Sequence, residues 1–228
     1  AGAAHLLAGK IGWLNRYEPY AVAVVLAGAV AALAPLGLRQ RTFFGAALIA
    51  AAAVLAWHYT ARGLPLSVRN ALAIPLQQAQ MARFVHDHAR VPVAVNDLGW
   101  VSWTSPAPVL DLWGLASAEA RRTRLSDPPP GWGAALAERR GVRLAMIYAD
   151  KLGDAAGQHW VPLGRLVMDH DAPRMQALGT GYRPFFIGGF AVTFYTTRPE
   201  LVPELHTAVQ GWAPTLPEGA RFLPAEWP

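Results

Sequence analysis

The chain contains no cysteine. That single absence excludes disulfides, CxxC zinc sites and a thiol nucleophile, and it leaves the redox compartment open. Charge is scarce too: Asp, Glu, Lys and Arg together make up 15% of the 228 residues, against roughly 25% in soluble domains. No nucleophile elbow, no glycine-rich dinucleotide fingerprint after a strand, no P-loop signature and no HExxH helix can be read along it. The net charge of +5 comes from scattered Arg residues, without a basic run interleaved with aromatics. Nucleic acid is therefore not an expected partner.

What fills the space is apolar: 53% of the residues are hydrophobic, and the long uncharged runs lie almost entirely before Arg62. A membrane part, residues 1–63, and a water-soluble part, residues 64–228, are expected. The uncharged stretches Tyr20 to Leu38 and Thr42 to Tyr59 are each long enough to cross about 30 Å of hydrocarbon. They lack the polar stripe that a buried helix of a soluble bundle usually carries. Arg39-Gln40-Arg41 reads as the tight connection between the two spans, and its two positive charges place it on the cytoplasmic side. The chain after Arg62 is then extracytoplasmic. Tyr17, Tyr20, Trp57 and Tyr59 fit interfacial anchors. The chain begins Ala1-Gly2-Ala3, without Met or a signal-peptide pattern, and reads as a fragment.

Beyond the membrane part the pattern is that of an α/β domain. Pro75 opens a helix running to about Arg90, with Met81, Phe84 and Val85 on one side. Pro92 to Asn96 and Val142 to Ala149 are continuously apolar strands, separated by segments of helical composition near Ala118 to Arg124 and Trp132 to Arg140. This alternation predicts βαβ units and a mixed, mainly parallel sheet. Trp160 to Met168 and Phe185 to Thr197 read as further strands, antiparallel on the C-terminal side, and Glu200 to Trp212 as a closing helix.

Candidate chemistry is thin. His86 and His88 are two apart on a helix and project about 200° from each other, so they do not chelate one metal together. Asp169-His170-Asp171 follows a strand, as a DxD motif holding a divalent ion against a diphosphate would, but no nucleotide pocket accompanies it and a solvated turn is the more common explanation. No cofactor or metal is indicated. Asn96-Asp97-Leu98-Gly99 follows an apolar strand, where α/β sheets present loop residues to ligands. The competing reading is an Asx-turn with Gly99 at positive φ. Asp111, between Leu110 and Leu112, needs hydrogen-bond partners to be tolerated among apolar neighbours; organising the loop after Asp97 is its expected role. Arg16-Tyr17-Glu18 precedes the first span, where Arg16 is placed to pair with a lipid phosphate and Glu18 to orient it, or to serve as an ordinary juxtamembrane anchor.

Four segments in order, Trp13 to Tyr20, Val93 to Gly99, Leu110 to Leu115 and Val192 to Tyr195, together resemble the C-terminal region of bacterial GT-C-type membrane glycosyltransferases. The resemblance implies a many-helix membrane protein that transfers a sugar from a polyprenyl-phosphate donor on the extracytoplasmic face of the cytoplasmic membrane. It implies further that Arg16, Tyr17 and Glu18 approach the donor phosphate, that Asp97 and Asp111 belong to the acceptor-side domain, and that the catalytic carboxylate lies in an early outer loop upstream of this fragment. The bilayer and a lipid-linked sugar are the expected partners. A membrane-anchored binding or sensory domain without catalysis, or a scaffold subunit, is the competing class.

Overall fold

A computed structural model describes residues 19–168 and 191–225. The chain divides into two compact units, Ala1–Arg69 and Asn70–Pro228.

In the first unit, α1 (Pro19–Leu33) and α2 (Leu38–His58) are joined by a turn. α2 runs on through a π-helical turn, Tyr59–Gly63, into α3 (Leu64–Ala71). Pro35 lies just past the end of α1, where its ring disfavours helical backbone in the residue before it. Arg39 and Arg41 are not in a loop, as the sequence suggested, but in the first turn of α2. Arg41 folds back on the end of α1: its Nε donates to the Leu36 carbonyl at 2.6 Å, and its Nη2 to the Ala34 carbonyl. The helix bounds therefore correct the expected spans, 20–38 and 42–59. One described helix, Leu38–Ala61, is long and apolar enough to cross a membrane by length and composition, and none of its most apolar window is buried. The described part of the first apolar helix covers about 22 Å at 1.5 Å per residue, less than a bilayer core.

The second unit is built on one six-stranded sheet of order β2-β1-β3-β5-β4-β6. Its strands are β1 (Val93–Val95), β2 (Val109–Asp111), β3 (Leu144–Ile147), β4 (Val161–Met168), β5 (Ala191–Thr196) and β6 (Ala220–Pro224). β1 pairs parallel with β2 and with β3. β3 with β5, β5 with β4, and β4 with β6 all pair antiparallel. The sheet is mixed, as expected, but it is not mainly parallel. The antiparallel half outweighs the other because β6, at the very end of the chain, adds a third antiparallel pairing that the sequence pattern did not reveal.

Alternation along the strands sorts the core into two layers. Val93, Val95, Leu144 and Met146 face one way, into a cluster with Met81, Phe84 and Val85 of the entry helix, Val101, and Leu205, Val209 and Trp212. Ala94, Ala145 and Ile147 face the other way, towards Ala120, Leu136, Ala137 and Trp160. The entry helix consists of Ile74–Gln78, α4 (Ala79–Arg83) and Phe84–Ala89, its outer turns π-helical. It ends at Arg90, whose φ of 49° breaks the helical run. α5 (Gly99–Thr104) leads from β1 to β2; α6 (Ala118–Leu125) and α7 (Gly133–Arg139) lead from β2 to β3. A short α8 (Ala149–Leu152) follows β3, and α9 (Val202–Trp212) closes the first layer. Phe84, Phe194, Trp212 and Phe222 form one aromatic cluster, with Phe84 and Trp212 ring centroids 4.9 Å apart, Phe84–Phe194 and Phe194–Phe222 at 5.4 Å, and Phe194–Trp212 and Trp212–Phe222 at 5.6 Å. Each such ring contributes about 1.5–3 kcal/mol by leaving water.

Candidate site at the carboxyl ends of the parallel strands

The order β2-β1-β3 makes the carboxyl ends of β1 and β3 a switch point. The connection from β1 goes to one side through α5, and the connection from β2 crosses to the other side through α6 and α7 on the opposite face of the sheet. Loops diverge there, and α/β sheets take their ligands in the resulting crevice.

Five polar side chains meet at this point. Asn96, the residue after β1, accepts the Tyr148 backbone N–H through Oδ1 at 2.8 Å, which ties the end of β1 to the end of β3. Gln78 Nε2 donates to Asp97 Oδ2 at 3.1 Å and to the Tyr148 phenol oxygen at 3.0 Å. The phenol in turn donates to Gln77 Oε1 at 3.3 Å. Asp97 fixes which way the Gln78 amide points, since a carboxylate accepts only from the NH2 end. As a result Gln78 Oε1 is buried with no hydrogen-bond partner among the described residues, an acceptor left one bond short. Burial, and then the negative charge of Asp97, push the Tyr148 phenol well above the ordinary tyrosine value, so it remains a neutral donor. Lys151 Nζ lies 5.3 Å over its ring. Gly99 is the first residue of α5 and has no positive φ, so the expectation of a turn built on that glycine is corrected: Asn96 bonds across to β3.

Asp111 does something else. Its carboxylate accepts from Gly114 N at 3.0 Å and from Ala116 N at 2.6 Å, so it organises its own loop after β2 rather than the loop after Asp97. The loop passes so close to α6 that a Cβ on Gly114, at φ 89°, would lie 2.5 Å from Arg121 Cβ. Trp113 is covered by the Arg124 guanidinium, 4.2 Å from its ring centroid, and that group also donates to the Trp113 carbonyl. The two carboxylates singled out from sequence thus have separate roles, one in the polar cluster and one as a loop brace.

Arg16, Tyr17 and Glu18, and the Asp169-His170-Asp171 segment, lie outside the described residues. His86 Nδ1 is 2.6 Å from Asp87 Oδ1 while His88 stacks on Phe84, so the two histidines have different partners. Two clefts of about 340 Å³ lie elsewhere: one against β2 and the start of α6, bordered by Asp111, Glu119 and Arg140, the other near His159, Trp160 and Arg198. In the first, Asp111 is bonded to backbone N–H groups and Glu119 is paired with Arg139 at 2.5 Å; in the second, Arg198 faces Glu200 at 4.0 Å. The strand-end cluster is the better site because its groups converge and one acceptor is unsatisfied. Gln77, Gln78 and Tyr148 were missed in the sequence. The available signals were three amides, Gln77, Gln78 and Gln80, within four residues of an apolar helix and a tyrosine directly after a buried strand.

Residues 70–195 match the family described as Domain of unknown function (DUF8728), more than half of the chain, and the chain belongs to that family. No curated protein and no solved structure matches it.

Proposed function

We propose that this member of the DUF8728 family is the C-terminal region of an integral membrane glycosyltransferase of the GT-C type. Its sugar donor is a polyprenyl-phosphate-linked sugar in the cytoplasmic membrane. Both apolar helices lie in the bilayer, and the α/β unit is extracytoplasmic and contributes recognition of a hydroxyl-rich acceptor. Arg16, with Tyr17 and Glu18, sits at the donor phosphate. The reading is supported by the order of the four sequence segments and by the solvent-facing apolar surface of α2. The observation that carries it is the cluster of Gln78, Asn96, Asp97 and Tyr148 at the strand ends. Amide, carboxylate and neutral phenol groups bind sugar hydroxyls by matched donors and acceptors.

The test is sugar transfer from a polyprenyl-phosphate donor by the purified full-length protein. Asp97→Asn is expected to raise the acceptor KM with kcat nearly unchanged, since recognition rather than chemistry is lost. Arg16→Lys is expected to impair transfer partially and Arg16→Ala more severely, because Lys keeps the charge but not the paired geometry on phosphate oxygens. Wild-type kinetics in Asp97→Asn would remove the acceptor site; wild-type turnover in Arg16→Ala would remove the donor site.

A membrane-anchored binding or sensory domain is the second reading. It is favoured by one feature: Asp97 and the Tyr148 phenol already hold hydrogen bonds within the cluster, as in a recognition site rather than a proton-transfer centre. Saccharide binding by the full-length protein, with no transfer from any polyprenyl-phosphate sugar, would establish it over the first.

A further inference from the structure

Among the described residues of the second unit, the exposed large hydrophobic side chains are Ile74, Trp100, Trp103, Leu115 and Leu125. All but Leu125 lie on segments that meet at the carboxyl edge of the parallel strands. Ile74 is in the first turn of the entry helix, which packs against α5. Trp100 and Trp103 lie on α5 itself, directly after β1, and Leu115 is in the Asp111-braced loop after β2. On α5, Val101 is fully buried, while Trp100 is 51% and Trp103 88% exposed; a spacing of three places the two indoles on one side of the helix. Indole rings with this exposure are costly in water and favoured at the headgroup level of a bilayer.

The chain itself says which surface covers them. The apolar helix ends at Ala61 and the second unit begins at Asn70, so even a fully extended connection holds the unit's first residue within about 30 Å of the end of that helix. The point of attachment is on the edge that carries the tryptophans, because Gln78 of the entry helix is bonded to Asp97 there. Arg121, packed against Gly114 of the loop after β2, and Lys151, in α8 after β3 and over the Tyr148 ring, are both exposed and bring positive charge to the ends of these strands.

We infer that this edge is a lipid-docking surface: Trp100, Trp103, Ile74 and Leu115 seat the unit on the bilayer and hold the polar cluster at headgroup level. The inference rests on the membrane reading above. Docking of this kind would present the strand-end site to substrates that are themselves lipid-linked or at the membrane surface.

The test uses the whole chain, free of cysteine, reconstituted in vesicles of phosphatidylethanolamine and phosphatidylglycerol. Single cysteines are introduced by Ser102→Cys on α5, Glu204→Cys on α9 as a solvent control, and Ala53→Cys in α2 as a lipid control, each carrying an environment-sensitive fluorophore. Shallow spin-labelled lipids are expected to quench the label at 102 several-fold more than the label at 204. Adding Trp100→Ala and Trp103→Ala is expected to return the label at 102 to the solvent-control value; a label held near lipid by the tether alone would not change. Equal quenching at 102 and 204, with strong quenching at 53, overturns the docking surface and leaves the membrane span standing. Loss of quenching at 53 overturns both.

Discussion

Gln78 and Tyr148, seventy residues apart in the chain, meet through a 3.0 Å hydrogen bond from the Gln78 amide to the phenol oxygen, and the same NH2 group holds Asp97 at 3.1 Å. One side chain therefore joins the entry helix to the ends of two neighbouring parallel strands. Gln78→Leu keeps the volume but removes the donor, leaving a carboxylate and a buried phenol short of a partner. The expected loss is about 1–3 kcal/mol, read from urea denaturation of the full chain. Unchanged stability would show that the cluster does not brace the strand ends.

The phenol gives a pH signature. Its pKa is raised above the ordinary value of 10 by burial and by Asp97. Between the unfolded and the folded value the native state keeps a proton that the unfolded chain has released, so stability falls as pH rises through that window and is fully present below it. Tyr148→Phe is expected to flatten the alkaline decline above about pH 10, measured as melting temperature against pH. An identical slope in wild type and variant would mean that another group controls it.

Asp111 and Gly114 form one device. Asp111→Ala strips two backbone N–H groups of their acceptor, at a cost of about 1–3 kcal/mol, and Asp111→Asn, which retains one acceptor oxygen, is expected to cost less. Gly114→Ala forces a side chain into positive φ against Arg121 and is expected to cost about 1–3 kcal/mol from backbone strain alone. Thermal melting of the three variants orders them. A melting temperature for Gly114→Ala within a degree of wild type would show the loop to be free to move away.

The proposed topology rests on the arginines at the start of α2. Because Arg39 and Arg41 flank Gln40, a cysteine at Gln40 is expected inside and one at Glu204 outside. In intact cells an impermeant thiol reagent should label only Glu204→Cys. Labelling of Gln40→Cys alone would invert the orientation.

Features that depend on local pattern were legible in the amino-acid order alone. Uncharged runs marked the apolar helices, and continuous apolar stretches marked β1 and β3, because a strand buried on both faces has no polar alternation to confuse the reading. The isolated carboxylate of Asp111 announced a buried acceptor, although not which loop it would brace. Tertiary structure decided whatever depends on residues distant in the chain. β2 ends in Asp111 and β6 carries Arg221 and Pro224, so neither is a continuously apolar stretch, and they are strands only because β1 and β4 supply their hydrogen-bond partners; that is why the balance of parallel and antiparallel pairing was not legible. Gln77, Gln78 and Tyr148 were ordinary polar residues in the sequence. They became a site only when the switch in strand order brought the ends of β1 and β3 under the entry helix, where a buried amide must find its partners or leave one acceptor without any.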